Sequence, residues 1–154
     1  EQTGPDLALL RLGGRDEAGL APLGLDGHLS AAPGELVVAG FGIAAEDAPA
    51  GRRVLRAARG LKAVPALGPA RIFVDAATDG ERMGRSACHG DSGGPLLGPG
   101  GDGRPAVAGI VTWTSGPLNR REAACGGLTA VAPVANHGDW IAAAARRLSG
   151  ARAD

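Results

Sequence analysis

The chain has 154 residues, enough for one domain with a real core, and its 16 basic residues balance 16 acidic ones. Zero net charge excludes the bulk attraction to nucleic acid or anionic membrane that a strongly basic domain shows. No apolar run reaches the roughly 18 residues of a membrane-spanning helix. The 27 glycines and 11 prolines lie between apolar runs and not in one block, which is the layout of short strands joined by many turns.

In chain order, "DLALLRL" (6–12) is a short continuous apolar run and reads as a strand buried on both faces. It lies so close to the start, with no initiator methionine and no apolar leader before it, that we expect the beginning of the protein to be missing. Residues 13–34 are rich in Gly, Pro, Ala and Asp and read as a long surface connection. A second strand is expected at "ELVVAGFG" (35–42), ending in glycines that permit a sharp turn. Over 52–64 the basic residues Arg53, Arg56, Arg59 and Lys62 recur every three positions, a local pattern that favours a helix. Strands follow at 70–76, at "AVAGIVTWTS" (106–115) and at 127–134. The tail "DWIAAAARRLSG" reads as a helix with Asp139 at its N-cap. Its apolar face would be Ile141, Ala144, Ala145 and Leu148, with Arg146 and Arg147 at the C-terminal end of the dipole. Cys88 and Cys125 form one disulfide or remain free thiols; neither lies in a CxxC pair.

The informative stretch is "ACHGDSGGPLL" (87–97), where Ser92 stands among three glycines. Its G-x-S-x-G spacing fits a nucleophile elbow, with Asp102 and His137 following in the matching order. An elbow needs a helix leading out, however, and here prolines and glycines follow. In a second reading, a nucleophilic serine needs backbone N–H groups aimed at the developing oxyanion, and Gly90 brings its N–H up to a substrate without a Cβ in the way. The carboxylate of Asp91 would then need a buried cationic partner.

On those residues the segment C-H-G-D-S-G-G-P-L resembles the active-site segment of trypsin-like (chymotrypsin-fold) serine peptidases. Four further landmarks stand in the family's order: "DLALLRL" from Asp6 is similar to the strand opened by the triad aspartate, "VAGFG" (38–42) to the glycine-ended strand that follows the interdomain linker, "GIVTW" (109–113) to the wall of the specificity pocket, and "DWI" to the start of the C-terminal helix. The resemblance implies an all-β, chymotrypsin-like double β-barrel. Residues 1–34 would be the end of the first barrel and the linker, and 35–154 a six-stranded second barrel with a C-terminal helix. It also implies that 52–64 contains a strand, against its local period.

The implied function is a serine endopeptidase acting on polypeptides. Ser92 would be the nucleophile, Asp6 the group orienting a histidine, and Gly90 with Ser92 the oxyanion donors. Ser86 and His89, together with Thr112, Trp113, Thr114, Gly126 and Gly127, would bind the substrate. A Cys88–Cys125 disulfide would brace that pocket, and no metal or organic cofactor is implied. In the family's order the histidine precedes the aspartate, yet His28, His89 and His137 all follow Asp6. The general base, and the free amino terminus expected to meet Asp91 after activation, would therefore belong to a preceding first barrel. An inactive homologue acting as a protein-binding module is the alternative. Family habit and the disulfide point to a secreted or periplasmic protein. A zinc site built from Cys88, His89, Cys125 and His137 fits no common ligand spacing.

Overall fold

The computed structural model describes residues 6–13, 19–29, 35–46, 54–63, 72–76, 86–117 and 122–150. Six antiparallel strands lie in them: β1 (Leu36–Gly40), β2 (Arg56–Ala63), β3 (Ile72–Ala76), β4 (Pro95–Pro99), β5 (Pro105–Thr114) and β6 (Leu128–Pro133). They close into one barrel in the order β1-β2-β3-β6-β5-β4. A 3₁₀ turn over Val134–His137 leads from β6 into the helix α1 (Gly138–Ser149). This is the closed six-stranded barrel and terminal helix that the resemblance implies.

The core follows from alternation along the strands. Leu36 and Val38 of β1, Leu61 of β2, Leu96 of β4, Val111 of β5 and Val131 of β6 meet inside with Ala87. Their burial is the main force holding the barrel, at about 1.5–3 kcal/mol for each fully buried Val or Leu side chain. Aromatic rings contribute none of it among these residues. Small Ala and Gly positions bring the strands close, and branched aliphatics fill the space.

The segment 52–64 adopts a strand where it is described, despite its basic period of three. β2 pairs with β1 on one side and β3 on the other, and two ladders outweigh a local helical preference. Gly60 is the extra residue of a bulge, because Leu36 faces Leu61 while the next residue, Val37, faces Arg59.

The strand expected at residues 6–12 is not formed. A strand needs a ladder partner, and the closed barrel offers no free edge to supply one. Leu10 and Leu12 stand 82% and 85% exposed, and Leu7 alone of residues 6–12 is half-buried. Arg11 ties the segment to the helix, its Nη1 donating to the Leu148 carbonyl at the end of α1 over 2.8 Å.

Two details of the helix also differ from expectation. Asp139 is not the N-cap, because the 3₁₀ turn runs straight into α1 and leaves His137 in that place. Asp139 instead lies in the first turn, where its charge still suits the dipole. Of the expected apolar face, Ala144 alone is buried; Ile141 is half-buried, while Ala145 and Leu148 are exposed.

The long connection is tied down at 24–28 onto the β4–β5 hairpin. Val107 N–H donates to the Gly24 carbonyl (2.8 Å), His28 N–H to Pro99 (3.0 Å) and Gly101 N–H to Asp26 Oδ2 (2.9 Å). The Gly101 N–H first, then the backbone of Asp26 itself and the nearby His28, hold the Asp26 carboxyl below its ordinary range, against a smaller opposing effect of burial. A depressed carboxyl stabilises the fold above its unfolded pKa and loses that contribution as pH falls through the folded value. Asp26→Asn should therefore lower stability at neutral pH, where that contribution is fully present, and let the two stability curves converge below about pH 4, so that the variant's acid limb is flatter. Urea midpoints measured at several pH values test this.

Candidate active site

Ser92 lies on two consecutive turns that lead into β4. Asp91 N–H donates to the Cys88 carbonyl over 3.1 Å, closing the first turn, and Gly94 N–H donates to the Asp91 carbonyl over 2.9 Å, closing the second. The third residue of each is a glycine at positive φ, Gly90 at 89° and Gly93 at 82°, and no other residue type has positive φ among the described residues. Positive φ at the third position alone defines a type II turn, and it explains why glycine stands there twice. Ser92, second in its turn, is left exposed at the corner. Among the described residues, Ser92 Oγ and the N–H groups of Gly90 and Ser92 have no hydrogen-bond partner.

The corner is held from both neighbouring strands. On the β5 side Gly93 N–H donates to Val111 (2.8 Å) and Val111 N–H to Gly94 (2.9 Å). On the β1 side Ile43 N–H donates to the His89 carbonyl over 3.0 Å. Ala87 N–H is fixed by Thr129 Oγ1 at 3.0 Å, a fully buried hydroxyl on β6.

Asp91 turns its carboxylate away from Ser92 and into the barrel end. Oδ1 accepts from Gly42 N–H at 2.8 Å and Oδ2 from Cys88 N–H at 2.9 Å. The buried cation expected for Asp91 is not there among the described residues; two backbone donors aimed at its two oxygens take that place. Gly42 is itself braced, since Arg56 Nη1 donates to its carbonyl over 2.9 Å. A pocket of about 200 Å³ opens beside this carboxylate, lined by Val38, Gly42, Arg56, Ser86 and Cys125 among others.

The residues expected to bind substrate lie at the end of β5, in the segment leading into the first turn and in the 126–127 segment. Thr112, Trp113 and Thr114 end β5, with Trp113 opposite Ala130 and Thr114 opposite Thr129. Ser86 is half-buried; its hydroxyl donates to the Ala87 carbonyl (3.1 Å) and accepts from Gly126 N–H (2.9 Å). Gly127 N–H donates to Ser115 over 3.0 Å, so the 115–116 and 126–127 segments are directly hydrogen-bonded. His89 is exposed at the first turn.

Cys88 and Cys125 are joined in a disulfide with their Cα atoms 4.5 Å apart. Glu46 secures the Cys125 side by accepting from the N–H groups of Ala124 and Cys125. The disulfide links positions 37 apart, which in the chain-entropy model is worth about 4 kcal/mol. Replacing both cysteines by alanine should lower unfolding free energy by about 2–4 kcal/mol, read from urea melts. An unchanged midpoint would show that the barrel already fixes these loops.

Neither other reading of the residues is assembled. A strand, not a helix, follows Ser92, so there is no nucleophile elbow. Asp102 sits in the β4–β5 hairpin bonded to Arg104, at the far end of β4. His28 binds Pro99 at that same far end. His137 follows β6, which runs from Thr129 opposite Thr114 to Pro133 opposite Gly109, and so also leads away from Ser92. With the cysteines spent in a disulfide, Cys88, His89, Cys125 and His137 form no zinc set. Asp6 is exposed, on the N-terminal segment that forms no strand.

The trypsin family model matches residues 1–141 of this chain. The chain belongs to the trypsin family. No curated protein matches it. Within a trypsin-family reading, Gly40, Gly42 and Arg56 belong to the support of the serine corner, and sequence reasoning passed them over. The signal was present in "VAGFG": its glycines yield space to Asp91, since a Cβ on Gly42 would lie 2.6 Å from Asp91 Cγ, Oδ1 and Oδ2 alike. Nothing in the spacing of Arg56 or Glu46 pointed to their partners.

Proposed function

We propose that this chain is the C-terminal part of a serine endopeptidase, with residues 1–34 closing a first barrel and 35–154 forming the second barrel and helix. The observation that carries the reading is the serine corner: an exposed hydroxyl beside two N–H groups without partners, with the neighbouring carboxylate drawn inward. That arrangement suits attack by Ser92 Oγ on a peptide carbonyl. The oxyanion that forms would be met by the N–H groups of Gly90 and Ser92. The Oγ proton passes to a histidine supplied upstream of Glu1, and Asp6 fixes the tautomer of that histidine. The placement of His28 and His137 at the other end of the barrel supports an upstream base. Asp6 finds its working surroundings when the upstream barrel provides the strands that residues 6–12 lack here. The disulfide supports a secreted or periplasmic setting, and no described helix is long and apolar enough to cross a membrane.

For specificity, Ser86 offers a neutral floor whose hydroxyl is already shared between Gly126 and Ala87. An Arg or Lys side chain would lose its water there and meet no carboxylate on the floor, a loss of several kcal/mol. Thr114 adds a β-branched side chain at the mouth. The preference is therefore for small or medium apolar residues, Ala, Val or Leu, before the cleaved bond. The test is to express the chain with its upstream coding sequence and profile it on a peptide library. Cleavage after these residues is expected. Dominant cleavage after Arg or Lys would refute the Ser86 argument, and no cleavage of any peptide would refute the peptidase reading.

A further inference from the structure

Every residue from Ala123 to Gly127 is held by a backbone hydrogen bond. The Ala123 carbonyl accepts from Gly116 N–H, Gly126 N–H donates to Ser86 Oγ over 2.9 Å, and Gly127 N–H donates to the Ser115 carbonyl over 3.0 Å. The two N–H groups in the middle go elsewhere. Those of Ala124 and Cys125 both donate to one oxygen, Glu46 Oε1, the second over 2.9 Å. Glu46 lies in the connection after β1, 79 positions before Cys125.

Successive N–H groups in irregular backbone can form a concavity that suits an anion, and here a side chain of the same protein fills it. Charge-assisted bonds of this kind are stronger than neutral ones. Cys125 is buried and Glu46 half-buried, so losing the acceptor would strand a donor away from water. The carboxylate also lies within 4.8 Å of the sulfurs of Cys88 and Cys125. Sulfurs joined in a disulfide offer no thiolate to a metal, so the contact is one of packing. The pocket beside Asp91 is lined from both segments that Glu46 connects, by Ile43 and Ala44 on its own side and by Cys125 and Gly126 on the other, together with Ser86.

We propose that Glu46 is a positioning residue for specificity: its carboxylate holds the 124–126 wall against Ser86 and so sets the width of the pocket for the side chain before the cleaved bond. This rests on the peptidase reading above. Glu46 touches neither substrate nor Ser92; it acts through the backbone of Ala124 and Cys125.

The test uses the protein with its upstream sequence and two quenched peptides that differ only in carrying Leu or Gly before the cleaved bond. Glycine puts no side chain into the pocket and so reports on the fold and the serine corner alone. Glu46→Ala should lower kcat/KM on the Leu peptide by about tenfold, mainly through KM, and change it on the Gly peptide by less than about twofold. Glu46→Gln keeps a carbonyl oxygen at the same reach and should stay within about threefold of the wild type on both. An equal loss on the two peptides in Glu46→Ala, or no loss on the Leu peptide, overturns the proposal and leaves the peptidase reading standing. Failure of the wild type to hydrolyse either peptide or a simple ester overturns the peptidase reading itself. The wall is then judged by amide hydrogen exchange. Protection lost at Ala124, Cys125 and Gly126 in Glu46→Ala, with the β5 and β6 amides still protected, supports the role of Glu46, and unchanged protection at all three overturns it.

Discussion

Ser92→Ala in the complete protein should lower kcat/KM on a good peptide substrate by about 10⁴-fold or more. The side chain removed is the proposed nucleophile, and no other hydroxyl or thiol among the described residues stands on the same corner. The activity left would come from binding and from the Gly90 and Ser92 N–H groups, which the substitution does not touch. Stability should hardly change, because Ser92 is exposed, its Oγ has no hydrogen-bond partner among the described residues, and alanine suits the second position of its turn. The loss is then chemical, and paired thermal melts and rate measurements separate it from unfolding. More than a few per cent residual activity would move the nucleophile elsewhere.

How much of this was legible in the sequence depends on whether the determining contacts are local. The strands at β1, β3, β5 and β6 could be read because their apolar residues carry the signal themselves. The two turns around Ser92 could be read too, since glycine at positive φ is a local requirement. β2 was decided by partners far along the chain, and its own basic pattern pointed the other way. β4 was missed outright: "PLLGP" has a proline at each end and two leucines between, and only pairing with β1 and β5 makes it a strand. Residues 6–12 failed in the opposite sense, since a strand-like sequence without a ladder partner does not form a strand. The partner of Asp91 was hidden for a related reason. A carboxylate announces its need for donors, but backbone N–H groups, which every sequence has, leave no mark of having supplied them.

That hidden arrangement makes the sharpest structural prediction. Gly42→Ala should destabilise the fold by about 2–4 kcal/mol and lower peptidase activity by about 100-fold. The three nearest neighbours of the added Cβ are all atoms of the Asp91 carboxyl group, each at 2.6 Å, closer than real Cβ contacts come. The carboxylate must move, and in moving it gives up the N–H of Gly42 at 2.8 Å or that of Cys88 at 2.9 Å. Charge-assisted bonds of this kind are among the stronger single contributions in a fold. Asp91 is covalently next to Ser92 and shares in both turns, so a shift of the order of an ångström reaches the nucleophile and its two N–H groups together. A double-mutant cycle isolates the cause. Asp91→Ala removes all three atoms nearest the new methyl, so Gly42→Ala should cost less than about 0.5 kcal/mol in that background. Urea melts of the four proteins give the coupling directly. An equal cost of Gly42→Ala with and without the Asp91 carboxylate would mean that the glycine serves its own backbone, and that Asp91 does not hold the serine corner through it.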